Sequence, residues 1–174
     1  MAQAPDGLTL GRHRDLQGRE RHPWTRRIIL AALTLLVALG LANVFGQYAS
    51  PRTIAGAEAA LTLEAPDRLR SGLYYEARFE IDAREEIENA TLVLDPGWLK
   101  GMTLNTLEPS PIGEASRDGR IALELGHVPV GDRHVFFLHF QVNPTTVGPR
   151  SGDVDLYDGQ ELLLHLDRTV VVFP

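Results

Sequence analysis

The sequence predicts an all-β antiparallel sandwich of about eight strands preceded by one transmembrane helix. Two observations carry this. An uncharged apolar run covers residues 28–45, and beyond residue 60 apolar and polar side chains alternate with the period of two that belongs to strands with one buried and one wet face. Turn residues break that alternation at roughly the 8 to 12 residue spacing of a sandwich. The 174 residues divide into a disordered basic cytoplasmic tail (1–27), a transmembrane helix (28–48), a linker (49–60) and an extracytoplasmic sandwich (61–174).

The first element is the tail. Residues 1–23 mix Gly, Pro, Arg, His and Asp without apolar period, so they lack the buried surface that would offset ordering entropy. Residues 1–27 carry six Arg against Asp6, Asp15 and Glu20, a balance of +3; the overall charge of −6 therefore leaves −9 for the rest. An acidic domain repels phosphate backbones, which excludes nucleic acid as its expected partner. No cysteine is present, which excludes disulfides, thiolate metal sites and a cysteine nucleophile. All the basic residues but Lys100 are Arg, which fits a GC-rich bacterial genome.

The second element is the apolar run Ile28 to Phe45, in which Thr34 and Asn43 are the only polar side chains. As a helix, 18 residues rise about 27 Å, close to the roughly 30 Å of a bilayer core. Arg12, Arg14, Arg19, Arg21, Arg26 and Arg27 precede it and Arg52 alone follows closely, which keeps the amino terminus in the cytoplasm of a cell or plasma membrane. Trp24 and Tyr48 bracket the run, where amphipathic rings favour the headgroup region. Thr25-Arg26-Arg27 also fits a twin-arginine export signal. A cleavable signal is disfavoured because no good small-x-small site follows the run directly.

Residues 49–60 are small and polar and read as a spacer. Strands follow. Leu61, Leu63 and Ala65 alternate up to Pro66; Tyr75, Ala77, Phe79 and Ile81 share a face opposite Glu76, Arg78, Glu80 and Asp82. Ala90, Leu92 and Leu94 run up to the Asp95-Pro96-Gly97 turn, and Met102 and Leu104 make a weaker run. Asp118-Gly119 turns the chain into Ile121, Leu123 and Leu125. Phe136, Leu138, Phe140 and Val142 share a face before Asn143-Pro144 closes that strand. Val154 to Leu166 reads as a hairpin about a type I′ turn at Asp158-Gly159, and Thr169 to Phe173 ends the set. The count and spacing give an Ig-like antiparallel sandwich.

The order Leu63-Glu-Ala-Pro66, Arg70-Ser-Gly72, the strand Tyr75 to Ile81, Val142-Asn143-Pro144 and Thr169 to Phe173 resembles the bacterial Ig-like modules of the cell-adhesion-related and cohesin-like kind. The resemblance covers residues 60–174 and carries no functional residues across. It implies a binding or spacing role outside the cytoplasm.

Chemistry is sparse. Asp153, Asp155 and Asp158 suggest a calcium loop, but Tyr157, Gly159 and Leu164 break its register. His127, His134, His139 and His165 lack the paired spacing of a helical metal site. Asp82, Glu85, Glu86 and Glu88 read as a solvated connection. No catalytic, metal or cofactor residues are therefore expected. The candidate docking edge is Trp98, Leu99 and Met102, against which stands the plainer reading of Trp98 as a plug for one end of the core. The expected function is a non-enzymatic, membrane-anchored interaction module that contacts or supports another membrane or envelope protein. The alternative is an extracytoplasmic glycan- or ion-binding adhesion-type module.

Overall fold

The computed structural model describes residues 22–44 and 46–174, and the chain forms two units, Met1–Val44 and Phe45–Pro174. The first unit contains helix α1, His22–Leu41. It starts six residues ahead of the expected span because Pro23 sits in the first turn, where a missing N–H leaves no hydrogen bond unmade. Arg26 and Arg27 are thus helical, and the Arg27 guanidinium lies 5.6 Å over the Trp24 ring one turn back. The disordered-tail expectation for residues 1–21 falls outside the described residues, as do Arg12, Arg14, Arg19 and Arg21.

The helix also ends earlier than expected. The Val44 and Asn43 amides donate to Leu39 O and Gly40 O at 3.0 Å each, the paired bonds of a Schellman cap. Asn43 takes the required left-handed conformation at φ 52°. Pro23–Leu41, 19 residues, is long and apolar enough to cross a membrane.

The second unit is all β. Its strands are β1 Ala49–Ala55, β2 Ala59–Pro66, β3 Arg68–Arg70, β4 Tyr74–Ala83, β5 Ile87–Leu94, β6 Met102–Glu108, β7 Gly113–Arg117, β8 Arg120–Val128, β9 Arg133–Val142, β10 Gly148–Ser151, β11 Val154–Asp158, β12 Glu161–Leu166 and β13 Thr169–Phe173. Two five-stranded antiparallel sheets, β1-β2-β4-β9-β6 and β12-β11-β5-β8-β7, form the sandwich, beside a small sheet β10-β13-β3. The β13–β3 pair is parallel.

Thirteen strands stand where about eight were expected, because short edge strands need no apolar alternation. The expected spacer shows this best. Ala49–Ala55 pairs along its length with β2, but as a sheet edge it is mostly exposed and tolerates Pro51.

Alternation on β4 and β9 buries Tyr75, Phe79, Phe136 and Phe140. Their register sets Phe79 opposite Phe136 and Tyr75 opposite Phe140, with ring centroids 5.0 Å and 5.2 Å apart. Such cross-strand pairs add to the roughly 1.5 to 3 kcal/mol that each large apolar side chain contributes on burial. The facing sheet supplies Leu92, Leu94, Leu123, Val154 and Leu156 to the same cluster.

A 3₁₀ turn, Pro96–Trp98, closes one end. There a β-carbon on Gly97 would stand 1.8 Å from Ser151 O, so only glycine lets the turn approach β10. The Asp118-Gly119 turn behaves as expected, with φ 53° and 75°. The last hairpin differs. Asp158 pairs with Glu161, so Gly159 and Gln160 are the central residues and only Gly159 has positive φ. The Asp158 carboxylate is occupied in accepting the Asn89 and Glu88 amides at 2.7 Å and 3.2 Å.

Candidate functional site

The expected docking edge is mostly core. Trp98 is 2% exposed and Met102 is buried as well. The Trp98 ring lies 5.6 Å from Phe79 and 5.5 Å from Phe140, and its Nε1 donates to Asp153 O at 3.2 Å. Met102 Sδ accepts from the Tyr75 hydroxyl at 3.0 Å. Leu99 alone of the three is exposed. The plug reading of Trp98 therefore holds, because the 3₁₀ turn swings the indole inward over the aromatic cluster.

Behind the indole lies a buried charge. The Arg168 guanidinium sits 5.0 Å over the Trp98 ring, donates to Pro66 O at 2.6 Å and to Asp67 at 3.1 Å. Arg52 meets the other oxygen of Asp67 at 2.7 Å. Burial lowers the Arg168 pKa, opposed by its bond to Asp67. These contacts tie β1 and β2 to the links that precede β3 and β13 and are structural.

The outer face of the second five-stranded sheet is organised differently. Register places Val93 beside Ala122 on β8 and Asp155 on β11. All three are buried, yet none belongs to the central cluster. This face has its own cover. Arg117 extends from the edge strand with its guanidinium 3.7 Å over the Tyr157 ring. It donates to Gly159 O at 3.0 Å and to Gln160 Oε1 at 3.0 Å.

Asp155 is the charge at the centre of this face. Arg120 and His165 Nδ1 each lie 2.5 Å from one of its oxygens, so a buried carboxylate is paired on both sides, as burial demands. The bond to Asp155, with a second to Asp167, raises the His165 pKa; the bond to Asp155 likewise raises that of Arg120. His165 Nε2 is 3.0 Å from Asp167. Both ring nitrogens are thus engaged by carboxylates, which leaves neither to activate a nucleophile.

Asp153, His165 and Asp167 bring ligand atoms within 4.8 Å of one another. Asp153 already accepts the Arg168 amide at 2.7 Å and His165 bonds two carboxylates. Among the described residues the remaining histidines stand apart. His127 pairs with Glu86 at 2.9 Å and His139 faces Glu76 at 3.7 Å, while burial lowers the His134 pKa.

Beside the Arg117 cover the sheet face is hollow. A depression of about 470 Å³ is lined by Thr91, Ile112, Ala115, Arg117, Ala122 and Glu124 among others. Small side chains on adjacent strands make the floor, and Ile112 stands 76% exposed at the rim. Sequence reasoning missed this feature. The available signal was the pairing of Ala115 with Ala122, two small residues on neighbouring strands, which only the register brings together.

No family model matches the chain, and no curated protein matches it. Among solved structures the chain is similar to one described as AvmM, which catalyses macrocyclization in alchivemycin A biosynthesis. That match is 9% identical with a TM-score of 0.41 and covers 74% of this chain and 90% of that one. It is also similar to the chitin-binding domain of a chitinase from Pyrococcus furiosus, 11% identical, TM-score 0.34, covering 68% of this chain and 98% of that one. A family 2 β-glucuronidase matches at 13% identity and TM-score 0.33, over 74% of this chain and 11% of that one. At these scores the matches carry no argument about function.

Proposed function

We propose that the chain is a single-pass membrane protein whose amino terminus is cytoplasmic and whose extracytoplasmic sandwich binds another membrane or envelope protein without catalysing a reaction. The observation that carries this reading is the depression on the outer sheet face. It combines an exposed Ile112, a floor of small side chains and an Arg117–Tyr157 stack held at 3.7 Å. Arg and Tyr are enriched at protein interfaces, and a stack already fixed loses little side-chain freedom on binding. Helix α1 supports the membrane part. From Ile28 onward it is apolar on every side, with Ile29, Leu30 and Leu35 all exposed on different faces, as a bilayer-spanning helix is. An anchor confines protein and partner to one surface and raises their effective concentration.

The glycan form of the alternative has less support. Sugar rings stack on exposed aromatic side chains, and the exposed aromatics of the sandwich, Tyr48 and Tyr74, lie near the start of the domain, away from this face. The test places a photo-crosslinking amino acid at Ile112 in the full-length protein, in the membranes of its own cell. A discrete adduct that Arg117→Ala reduces at least tenfold is expected. An adduct pattern identical to that from the same probe at Val130, or none at either position, refutes the reading.

A further inference from the structure

The sandwich has two ends of different chemistry. Strand β1 begins at one of them, because Ala49 pairs with Pro66. The turn before β4 and the loop after β9 share that end, since Gly72 N donates to Val142 O and Asn143 N donates to Gly101 O. Four large side chains are more than two-fifths exposed there: Tyr48 (59%), Leu73 (47%), Tyr74 (66%) and Val147 (57%). Interleaved with them are the exposed cations Arg68, Arg70 and Lys100. Of the nearby acids, Asp67 is matched by Arg52 and Arg168, Asp95 accepts from Ser151, and Asp118 and Asp167 are exposed.

The opposite end is the more acidic one. Glu85 N donates to Glu58 O and Gly131 N donates to Ala83 O, which gathers Glu58, Glu85, Glu86 and Asp132 around Arg84. Exposed cations and large apolar side chains thus stand together at the end where the chain arrives from α1. Seven residues, 42 to 48, separate Leu41 from Ala49, a connection of at most about 25 Å.

We propose that this N-proximal end rests on an anionic bilayer surface, with Tyr48, Leu73, Tyr74 and Val147 in the headgroup region and Arg68, Arg70 and Lys100 against lipid phosphates. The inference deepens the membrane-anchor part of the proposed function and rests on it. Tyrosine suits the headgroup layer because its ring is apolar and its hydroxyl stays wet. Cations near an anionic surface are attracted within about a Debye length, while the acidic far end is repelled, so the domain is oriented as well as held.

The absence of cysteine makes the test direct. Single substitutions Leu73→Cys, Val147→Cys, Val130→Cys and Leu36→Cys in the full-length chain are labelled with an environment-sensitive fluorophore. The protein is reconstituted into vesicles of phosphatidylcholine alone or with phosphatidylglycerol, some containing a lipid-borne quencher. Quenching at Leu73 and Val147 but not at Val130 is expected, stronger with phosphatidylglycerol. Arg68→Glu with Arg70→Glu should reduce it roughly fivefold. Equal quenching at Leu73 and Val130, with Leu36 quenched, overturns the docking while leaving the anchor intact. An unquenched Leu36 overturns both.

Discussion

Replacing Trp98 by Ala tests the plug at the end of the core. The indole is 2% exposed, touches two aromatic rings at 5.5 Å and 5.6 Å and donates a hydrogen bond of 3.2 Å to Asp153 O. Buried Trp to Ala substitutions cost about 3 to 5 kcal/mol, and Asp153 O keeps the Asp95 amide as its donor at 3.2 Å. A loss of about 4 kcal/mol is expected, a large share of a domain's roughly 5 to 15 kcal/mol. With a urea dependence of about 1.5 kcal/mol per molar, the unfolding midpoint falls by about 2.7 M. Trp98→Phe keeps most of the ring packing and should lose less than half as much. The assay is equilibrium urea unfolding of the full-length protein in detergent, followed by circular dichroism. A midpoint shift below about 0.5 M for the Ala variant would show that Trp98 is not part of the core.

Two further outcomes follow from the polar contacts. Arg168→Ala removes a side chain that is 1% exposed and leaves Pro66 O without its donor; it should cost about 3 kcal/mol in the same unfolding assay, and a loss under 1 kcal/mol would contradict its structural role. Stability should also fall as pH rises above neutrality. Asp155 and Asp167 raise the His165 pKa, so its contribution is complete below the unfolded value of about 6.5 and is lost as pH passes the folded value. His134 acts in the opposite sense: burial lowers its pKa, and its contribution is lost as pH falls below about 6.5. Urea midpoints measured from pH 5 to 9 check both, and an alkaline decline that persists unchanged in His165→Asn refutes the first.

The strands with strict alternation were legible in the sequence. Tyr75 to Ile81 and Phe136 to Val142 bury the expected faces, because a period of two fixes which side chains meet the core whatever their partner strand is. Edge strands left no such mark. Ala49–Ala55 reads as spacer because one free side and two wet faces put almost no constraint on its residues. Trp98 shows the limit at a single position. Glycines and a proline beside it fit a surface turn and a core plug equally well, and the direction of its side chain depends on the 3₁₀ turn and on Gly97 meeting β10.

By itself the sequence determined what is local: an apolar helix near the amino terminus, an all-β sandwich after it, and an acidic balance with no cysteine chemistry. These follow from composition and from periods of a few residues. Only the tertiary structure decided which distant residues share a surface. Asp155 meets Arg120 across 35 positions and Arg168 meets Asp67 across 101. The depression beside Ile112 and the basic, aromatic end around Tyr74 are likewise assembled from separate strands and loops. Pairing between strands is set by register and packing, which couple residues through space, and no local pattern in the chain encodes that coupling.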